Sequence, residues 1–348
     1  MGNGDLTPWS GSPFPVPRSP TLVIQTAHLG DVVLTLPLLQ RIAERHGPVD
    51  VVTTPAAFPL VATHPLVRRA IAYDKHGHGR DTRSLISLGL ALRDENYARV
   101  YLPHGSLRSA VLARLTGAPE RLGFAGAPGA LLYSTRVVRP AATHTVDRLL
   151  ALVGSPGQPP LPWISLTDED RTAAAGWLAA RGITGQPLVL APGARWGTKR
   201  WPYFPELAAQ VDAEVVVLGG AEDADLGGAV VAGAPGRAHS AAGTLSLRES
   251  AAVIERASCV VTNDSLPLHL ASALGRPVVA VFGPTVPAFG FGPVQAQDAV
   301  VEHLALSCRP CSRHGPRVCP LGHHRCMREL SVDQVLGALR RRLGLESA

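Results

Sequence analysis

Short apolar runs alternate with amphipathic stretches along most of the chain. The runs end at Gly, Pro, Asn, Asp or Ser and have the composition of buried β-strands, while the stretches between them repeat apolar residues at helical spacing. Strands that alternate with helices form parallel sheets with helices on both faces, so we predict an α/β protein. The main predicted strands are residues 21–26, 49–54, 70–74, 98–103, 188–190, 214–218, 259–262 and 278–282.

The chain of 348 residues is long enough for two domains, and a Pro-rich stretch near its middle predicts where they join. Residues 155–162, with the sequence SPGQPPLP, interrupt the alternation and indicate a linker. Two Rossmann-like domains are therefore predicted, over residues 21–160 and 161–330, facing a central cleft. Residues 1–20 are rich in Pro, Gly and Ser and predict a disordered leader, and residues 331–348 contain a C-terminal helix.

Composition narrows the class of protein further. Apolar residues make up 46% and charged residues 17%, and no apolar run approaches the length of about 18 residues that a membrane span needs. The N-terminus lacks the apolar segment of a signal peptide, so we expect a cytoplasmic protein.

The net charge of +6 is concentrated at the C-terminus, because residues 308–348 hold eight arginines and three acids. This stretch is either a solvated Arg-rich end or a peripheral contact with anionic lipid or an anionic acceptor. No basic stripe with interleaved aromatic residues supports nucleic-acid binding.

A strand, turn and helix between residues 259 and 274 form the first candidate site. Asp264 and Ser265 follow the strand directly, Ser265 is a suitable N-cap, and His269 lies in the first turns of the helix. Parallel sheets bind ligands at the carboxyl ends of their strands. This stretch is therefore either a well-capped structural unit or part of a ligand site.

A cationic loop follows another predicted strand. Residues 191–202 contain Arg195, Lys199 and Arg200 beside two tryptophans. Lys199 is one of only two lysines in a chain that otherwise uses arginine, which indicates that a compact point charge is needed there. Such a loop and a helix N-terminus together form a credible anion site.

Two acidic residues also lie just after predicted strands. Asp31 begins a helix after the first strand, where it is either a helix cap or a functional carboxylate. Glu222 follows the strand at 214–218, where it either meets a ribose hydroxyl or starts a helix on the surface. The glycine pattern of a dinucleotide-binding loop, GxGxxG, does not occur in the chain.

Four cysteines lie close together near the C-terminus. Cys308 and Cys311 form a CxxC pair, whereas Cys319 and Cys326 are separated by six residues. The four can bind a structural zinc ion or remain free or disulfide-paired thiols. Zinc is the less favoured alternative because the second pair is not CxxC.

These motifs together resemble glycosyltransferase family 9, the bacterial heptosyltransferases that use ADP-heptose. The matching blocks occur in the family's order: Gly30-Asp31, Pro192-Gly193, Lys199 to Pro202, Thr262 to Ser265 with His269, and Phe282 to Thr285. The resemblance implies the GT-B architecture, in which the final helix packs back on the first domain. One departure is Leu266, because the family usually has glycine there.

The resemblance also implies a reaction: inverting, metal-independent transfer of a sugar, in this family a heptose, from an ADP-sugar to an acceptor hydroxyl. Asp31 is then the general base, Lys199 and Arg195 bind the diphosphate, and Asp264, Ser265 and His269 bind the rest of the donor. No cofactor is required. The acceptor can be a glycan, a lipid-linked molecule or a small natural product. Two alternatives remain open: a nucleotide-sugar epimerase of the same architecture, and a non-catalytic interaction protein stapled by zinc.

Overall fold

A computed structural model describes residues 20–75, 77, 79–154, 158–295 and 298–345. The predicted leader up to residue 19 and residues 155–157 of the predicted linker lie outside this description. The chain divides into two compact units, Met1–Ala141 with Thr145–Ser165, and Ala142–His144 with Leu166–Ala348. The main boundary therefore follows Ser165, a few residues after the predicted position. None of the described helices is long and apolar enough to cross a membrane.

The first unit is a parallel six-stranded sheet in the order β3-β2-β1-β4-β5-β6. Its strands are β1 (Thr21–Gln25), β2 (Val49–Thr53), β3 (Val67–Ala72), β4 (Arg99–Leu102), β5 (Glu120–Phe124) and β6 (Thr135–Val137). Its helices are α1 (Leu29–His46), α2 (Phe58–Val61), α3 (Thr82–Arg93), α4 (Leu107–Leu115) and α5 (Thr145–Leu150). This is the strand order of a Rossmann fold, as predicted.

The second unit repeats the same topology, with the strand order β12-β11-β10-β7-β8-β9. Its strands are β7 (Leu188–Ala191), β8 (Val215–Val217), β9 (Ala238–Ser240), β10 (Cys259–Asn263), β11 (Val278–Phe282) and β12 (Ala299–Glu302). Its helices are α6 (Asp168–Ala179), α7 (Phe204–Gln210), α8 (Ala224–Gly233), α9 (Leu247–Glu255), α10 (Leu266–Ala273), α11 (Arg325–Arg328) and α12 (Val332–Leu343). Strands β10 and β11 are buried throughout, which explains their continuous apolar sequences.

Local sequence signals account for several of the helix ends. Thr167 and Ser246 are the N-caps of α6 and α9, and in each case the acid three residues later accepts the backbone N–H of the cap. Gly275 follows α10 with a positive φ of 67°, a conformation that favours glycine at a helix end. Helix α1 begins earlier than predicted, at Leu29, so Asp31 is its third residue.

The last helix, α12, is part of the second unit. Its buried face, which includes Val335 and Leu339, joins a core cluster with Val279 and Val281 of β11. Packing of this helix on the first domain, which the resemblance implied, stays a prediction. The amphipathic spacing predicted a packed helix, but it does not specify which sheet the apolar face covers.

Candidate functional site

The carboxyl ends of β7 and β10 mark the switch point of the second sheet. The two strands are neighbours, but β7 continues to β8 on one side and β10 continues to β11 on the other. Open parallel sheets bind their ligands at such a point. The cationic loop follows β7, and Asp264 follows β10, so the topology brings together the two stretches that the sequence analysis selected.

The central contact at this edge is an ion pair. Lys199 Nζ lies 2.6 Å from Asp264 Oδ2 and 3.4 Å from the Asp264 carbonyl oxygen. The two side chains are only 13% and 9% exposed. The hydroxyl of Thr285 donates to the same carboxylate oxygen at 2.7 Å. An ammonium group has three donors, so Lys199 can bind a ligand anion while Asp264 holds it in place.

Asn263, the last residue of β10, connects that strand to the cationic loop after β7. Its Oδ1 accepts the backbone N–H of Trp201 at 3.0 Å, and its Nδ2 donates to the carbonyl of Pro192 at 2.8 Å. One fully buried amide therefore satisfies backbone groups at both ends of the cationic loop. The sequence analysis did not select Asn263 or Thr285 as site residues, although both lie within the motif blocks 262–265 and 282–285.

Ser265 is the N-cap residue of α10, as predicted, but its side chain does not cap the helix. Its hydroxyl instead lies 3.3 Å from that of Thr262. His269 is buried one turn further along the helix. Burial lowers the pKa of His269 to about 4, with smaller effects from Asp264, which raises the pKa, and from His144 and Lys199, which lower it. The imidazole is therefore neutral at pH 7, where it can donate one hydrogen bond and accept another.

Arg195 and Glu222 are both exposed side chains at this edge of the second sheet. Arg195 lies beside the ring of Trp196, with 5.7 Å from its guanidinium carbon to the ring centroid. Glu222 lies in a 3₁₀ turn, Ala221–Asp223, directly after β8. Their roles in donor binding stay predictions.

A buried acid that the sequence analysis did not select lies next to Glu222. Asp223 accepts the backbone N–H of Gly220 at 3.3 Å, and Arg200 approaches it at 3.5 Å. A Cβ atom on Gly193 would lie 2.2 Å from its carboxylate, so only glycine permits this close approach. Burial raises the pKa of Asp223. Asp223 thus connects the cationic loop, through Gly193 and Arg200, to the loop after β8.

The first unit has the equivalent switch point at the ends of β1 and β4. Asp31 lies there in the first turn of α1, where its carboxylate accepts the backbone N–H of His28 at 3.2 Å. His104 follows β4, and its Nδ1 lies 3.4 Å from the hydroxyl of Thr26. Burial lowers the pKa of His104 to about 4, and the neighbouring charge of Lys75 adds to the shift. Asp31 thus combines a capping position with the edge where parallel sheets bind ligands.

The four C-terminal cysteines are free thiols. In the part of the chain that the structure describes, no group of three or more His, Cys, Asp or Glu side chains is arranged to hold a metal ion. Burial raises the pKa of Cys326 to about 11, so this thiol is protonated at pH 7. Whether the four cysteines bind a structural zinc ion stays open. Cys259 is a buried core residue of β10.

Comparison with known proteins supplies independent findings. A family model described as glycosyltransferase family 9 (heptosyltransferase) matches residues 85–321. Lipopolysaccharide heptosyltransferase 2 of Escherichia coli (strain K12) is 29% identical over 353 residues, covering 94% of this chain and 99% of that protein. The solved structure of E. coli ADP-heptose lipopolysaccharide heptosyltransferase II has a TM-score of 0.78 at 25% identity, covering 94% of this chain and 100% of that one. A family 9 glycosyltransferase from Veillonella parvula has a TM-score of 0.82 at 24% identity, covering 96% of this chain and 99% of that one. These likenesses confirm the predicted α/β fold of the GT-B class.

Proposed function

Since the chain belongs to glycosyltransferase family 9 and is a glycosyltransferase of the heptosyltransferase type, we propose that it transfers a heptose from ADP-heptose to a lipopolysaccharide-type acceptor. The observation that carries the donor half of this proposal is the buried contact between Lys199 and Asp264 at the switch point of the second unit. The names of the relatives support the choice of ADP-heptose and of lipopolysaccharide.

The leaving diphosphate is the group that Lys199 serves. When the bond between the anomeric carbon and the diphosphate oxygen breaks, negative charge grows on the departing ADP. A preorganised cation at this position stabilises that charge, and the N-terminus of α10 adds N–H donors beside it. Arg195 and Ser265 are proposed as further phosphate contacts. We expect transfer to continue in the presence of EDTA, because these protein groups supply the positive charge.

The hydroxyl groups of the sugar and of the ribose need neutral or acidic side chains as hydrogen-bond partners. A neutral His269 can hydrogen-bond a sugar hydroxyl as donor or acceptor without adding charge to the site. Oδ2 of Asp264 contacts Lys199 and Thr285, and the other carboxylate oxygen can accept a hydrogen bond from a sugar hydroxyl. Glu222 is proposed to accept a ribose hydroxyl, because it lies at the end of the strand next to β7.

Asp31 is proposed as the general base. The acceptor hydroxyl oxygen attacks the anomeric carbon from the side opposite the leaving group, so the configuration inverts. The hydroxyl proton passes to the Asp31 carboxylate as the new glycosidic bond forms, and ADP leaves with the bonding electrons. The position of Asp31 at the switch point of the first unit supports this role.

A donor screen followed by product analysis tests the proposal. ADP-heptose should raise the melting temperature of the purified protein more than UDP- or GDP-sugars do, because binding to the folded state stabilises it. With a core-truncated lipopolysaccharide acceptor, the product should gain one heptose of inverted configuration. Equal responses to all three donor classes, together with no heptose transfer, would refute the proposal.

The same assays separate the alternatives. An epimerase would convert the ADP-sugar without any acceptor, whereas a non-catalytic protein would produce neither reaction. Neither alternative is favoured by the comparisons or by the residues at the site.

A further inference from the structure

Arg309 belongs to the basic C-terminal stretch, but its side chain is only 4% exposed. Its guanidinium group contacts one carboxylate and four backbone carbonyls. Nη2 lies 2.8 Å from Glu302 Oε2, 2.9 Å from the carbonyl of Thr285 and 3.2 Å from that of Phe282. The remaining nitrogens donate to the carbonyls of Gly283 and His303. Arg309 is therefore an internal structural cation and not part of a basic surface.

Three of these carbonyls lie where the chain leaves β11. The parallel pairing of β11 with β12 ends at Phe282 opposite Glu302, and the loop that follows is still buried as far as Thr285. Buried backbone carbonyls beyond the end of a strand need donors from elsewhere. The planar fork of an arginine can serve several of them at once, and the carboxylate of Glu302 balances its charge.

This loop also contacts Asp264, the acidic residue of the central ion pair. The hydroxyl of Thr285 donates to Asp264 Oδ2, the same oxygen that Lys199 contacts. We propose that Arg309 is a positioning residue for the donor site: it holds the backbone of Thr285, and Thr285 in turn orients Asp264 and Lys199. This inference rests on the proposed function of Lys199 and Asp264 in binding the donor.

Other residues between Cys308 and Cys326, here called the Cys-rich segment, also contact loops near the ion pair. The backbone N–H of Cys311 donates to the carbonyl of Pro284 at 2.9 Å, beside the carbonyls that Arg309 holds. The ring of His324 lies 2.8 Å from the carbonyl of Thr198, next to Lys199. This segment thus contacts the loop that carries Lys199 and the loop whose Thr285 binds Asp264, which gives it a role as their scaffold.

Kinetics of Arg309→Lys and Arg309→Met test the proposal. Lysine keeps the charge but presents its donors from one point, so it cannot satisfy the same set of carbonyls. We expect kcat/KM for ADP-heptose to fall about tenfold to a hundredfold in both variants, mainly through the donor KM. The KM for the acceptor should not change. All measurements are made well below the melting temperature of each variant.

A matched control separates positioning from general stability. Arg248 is a largely buried arginine of the same unit, and it pairs with Asp170. Arg248→Met should lower the melting temperature and leave the donor KM unchanged. An Arg309→Lys variant that loses stability but keeps the parent's donor KM would overturn the inference.

A double-mutant cycle tests the route through Thr285. Thr285→Val removes the hydroxyl but leaves the backbone carbonyl that Arg309 binds, so it reports on the link even where Arg309 variants fold poorly. It should raise the donor KM, and combining it with Arg309→Lys should cost little more than the worse single variant. An unchanged donor KM in Thr285→Val, or losses that multiply, would refute the route. Lys199→Ala separates the two levels: normal donor kinetics there would refute the proposed function, whereas a defect in Lys199→Ala alone would refute only the role of Arg309.

Discussion

Replacement of Asp31 by Asn separates its two possible roles, helix cap and general base. The carboxylate accepts the backbone N–H of His28 at 3.2 Å. The amide oxygen of asparagine can accept the same bond, so the cap is retained. Loss of the negative charge in the first turn of α1 costs about 0.3–1 kcal/mol. For a unit of this size, that corresponds to a fall in melting temperature of about 2–4 °C at most.

The catalytic consequence is much larger if Asp31 is the base. An amide cannot take the proton of the acceptor hydroxyl, and a general base typically contributes about 10²–10⁴-fold to the rate. Asp31→Asn should therefore lose at least about a hundredfold in kcat while binding ADP as the parent does. The assays are calorimetric unfolding, titration with ADP, and turnover with saturating donor and acceptor.

Glu249→Gln is the matched control for this experiment. Glu249 occupies the same third position of α9, and it accepts the backbone N–H of Ser246 at 2.7 Å. The same isosteric change should cost a similar small amount of stability and leave turnover intact. If Asp31→Asn transfers heptose at nearly the parent rate, the carboxylate is only a cap. An equal loss of turnover in both variants would show that the effect is conformational.

Three further predictions follow from the second unit and from the pKa shifts. Lys199→Ala should lower kcat/KM for the donor by one to two orders of magnitude, because a charge-assisted contact contributes about 1.5–3 kcal/mol; steady-state kinetics with unchanged donor parameters would contradict this. The pKa of His269 is about 4 in the folded chain and 6.5 in the reference state, so only the unfolded chain takes up its proton between these values. Stability should therefore fall by up to about 3 kcal/mol as the pH drops from 6.5 to 4. The free energy of unfolding, measured in urea across this pH range, should depend less steeply on pH in His269→Gln than in the parent. The part of the pH dependence that comes from the buried His104 should remain. An unchanged pH dependence in His269→Gln would contradict the burial of a neutral His269. Finally, replacing Cys308 and Cys311 by Ser should lower the melting temperature but leave kcat largely unchanged at a temperature where the variant is folded. Lost turnover at an unchanged melting temperature would refute a structural role for these cysteines.

Much of the fold was predictable because its signals are local. A buried parallel strand such as β10 or β11 needs a continuous apolar run, and that run is visible in the sequence. The capping boxes at Thr167 and Ser246 span only four residues, so both of their partners are visible in a short stretch of sequence. Short edge strands such as β6 and β12 were missed because they are half-exposed and carry weaker apolar patterns. The motifs around Lys199 and Asp264 indicated the site because side chains at strand ends converge in any parallel sheet.

The contacts within the site were decided by the tertiary structure alone. Lys199 and Asp264 are 65 positions apart, and the chain can join them only because β7 and β10 are neighbours in the sheet. Arg309 looks like one more surface charge in a basic stretch, yet it is buried against a loop 24 positions earlier. The apolar face of α12 predicted a packed helix without naming its partner. Periodicity and caps depend on neighbours along the chain, whereas ion pairs, buried donors and helix docking depend on which strands lie side by side.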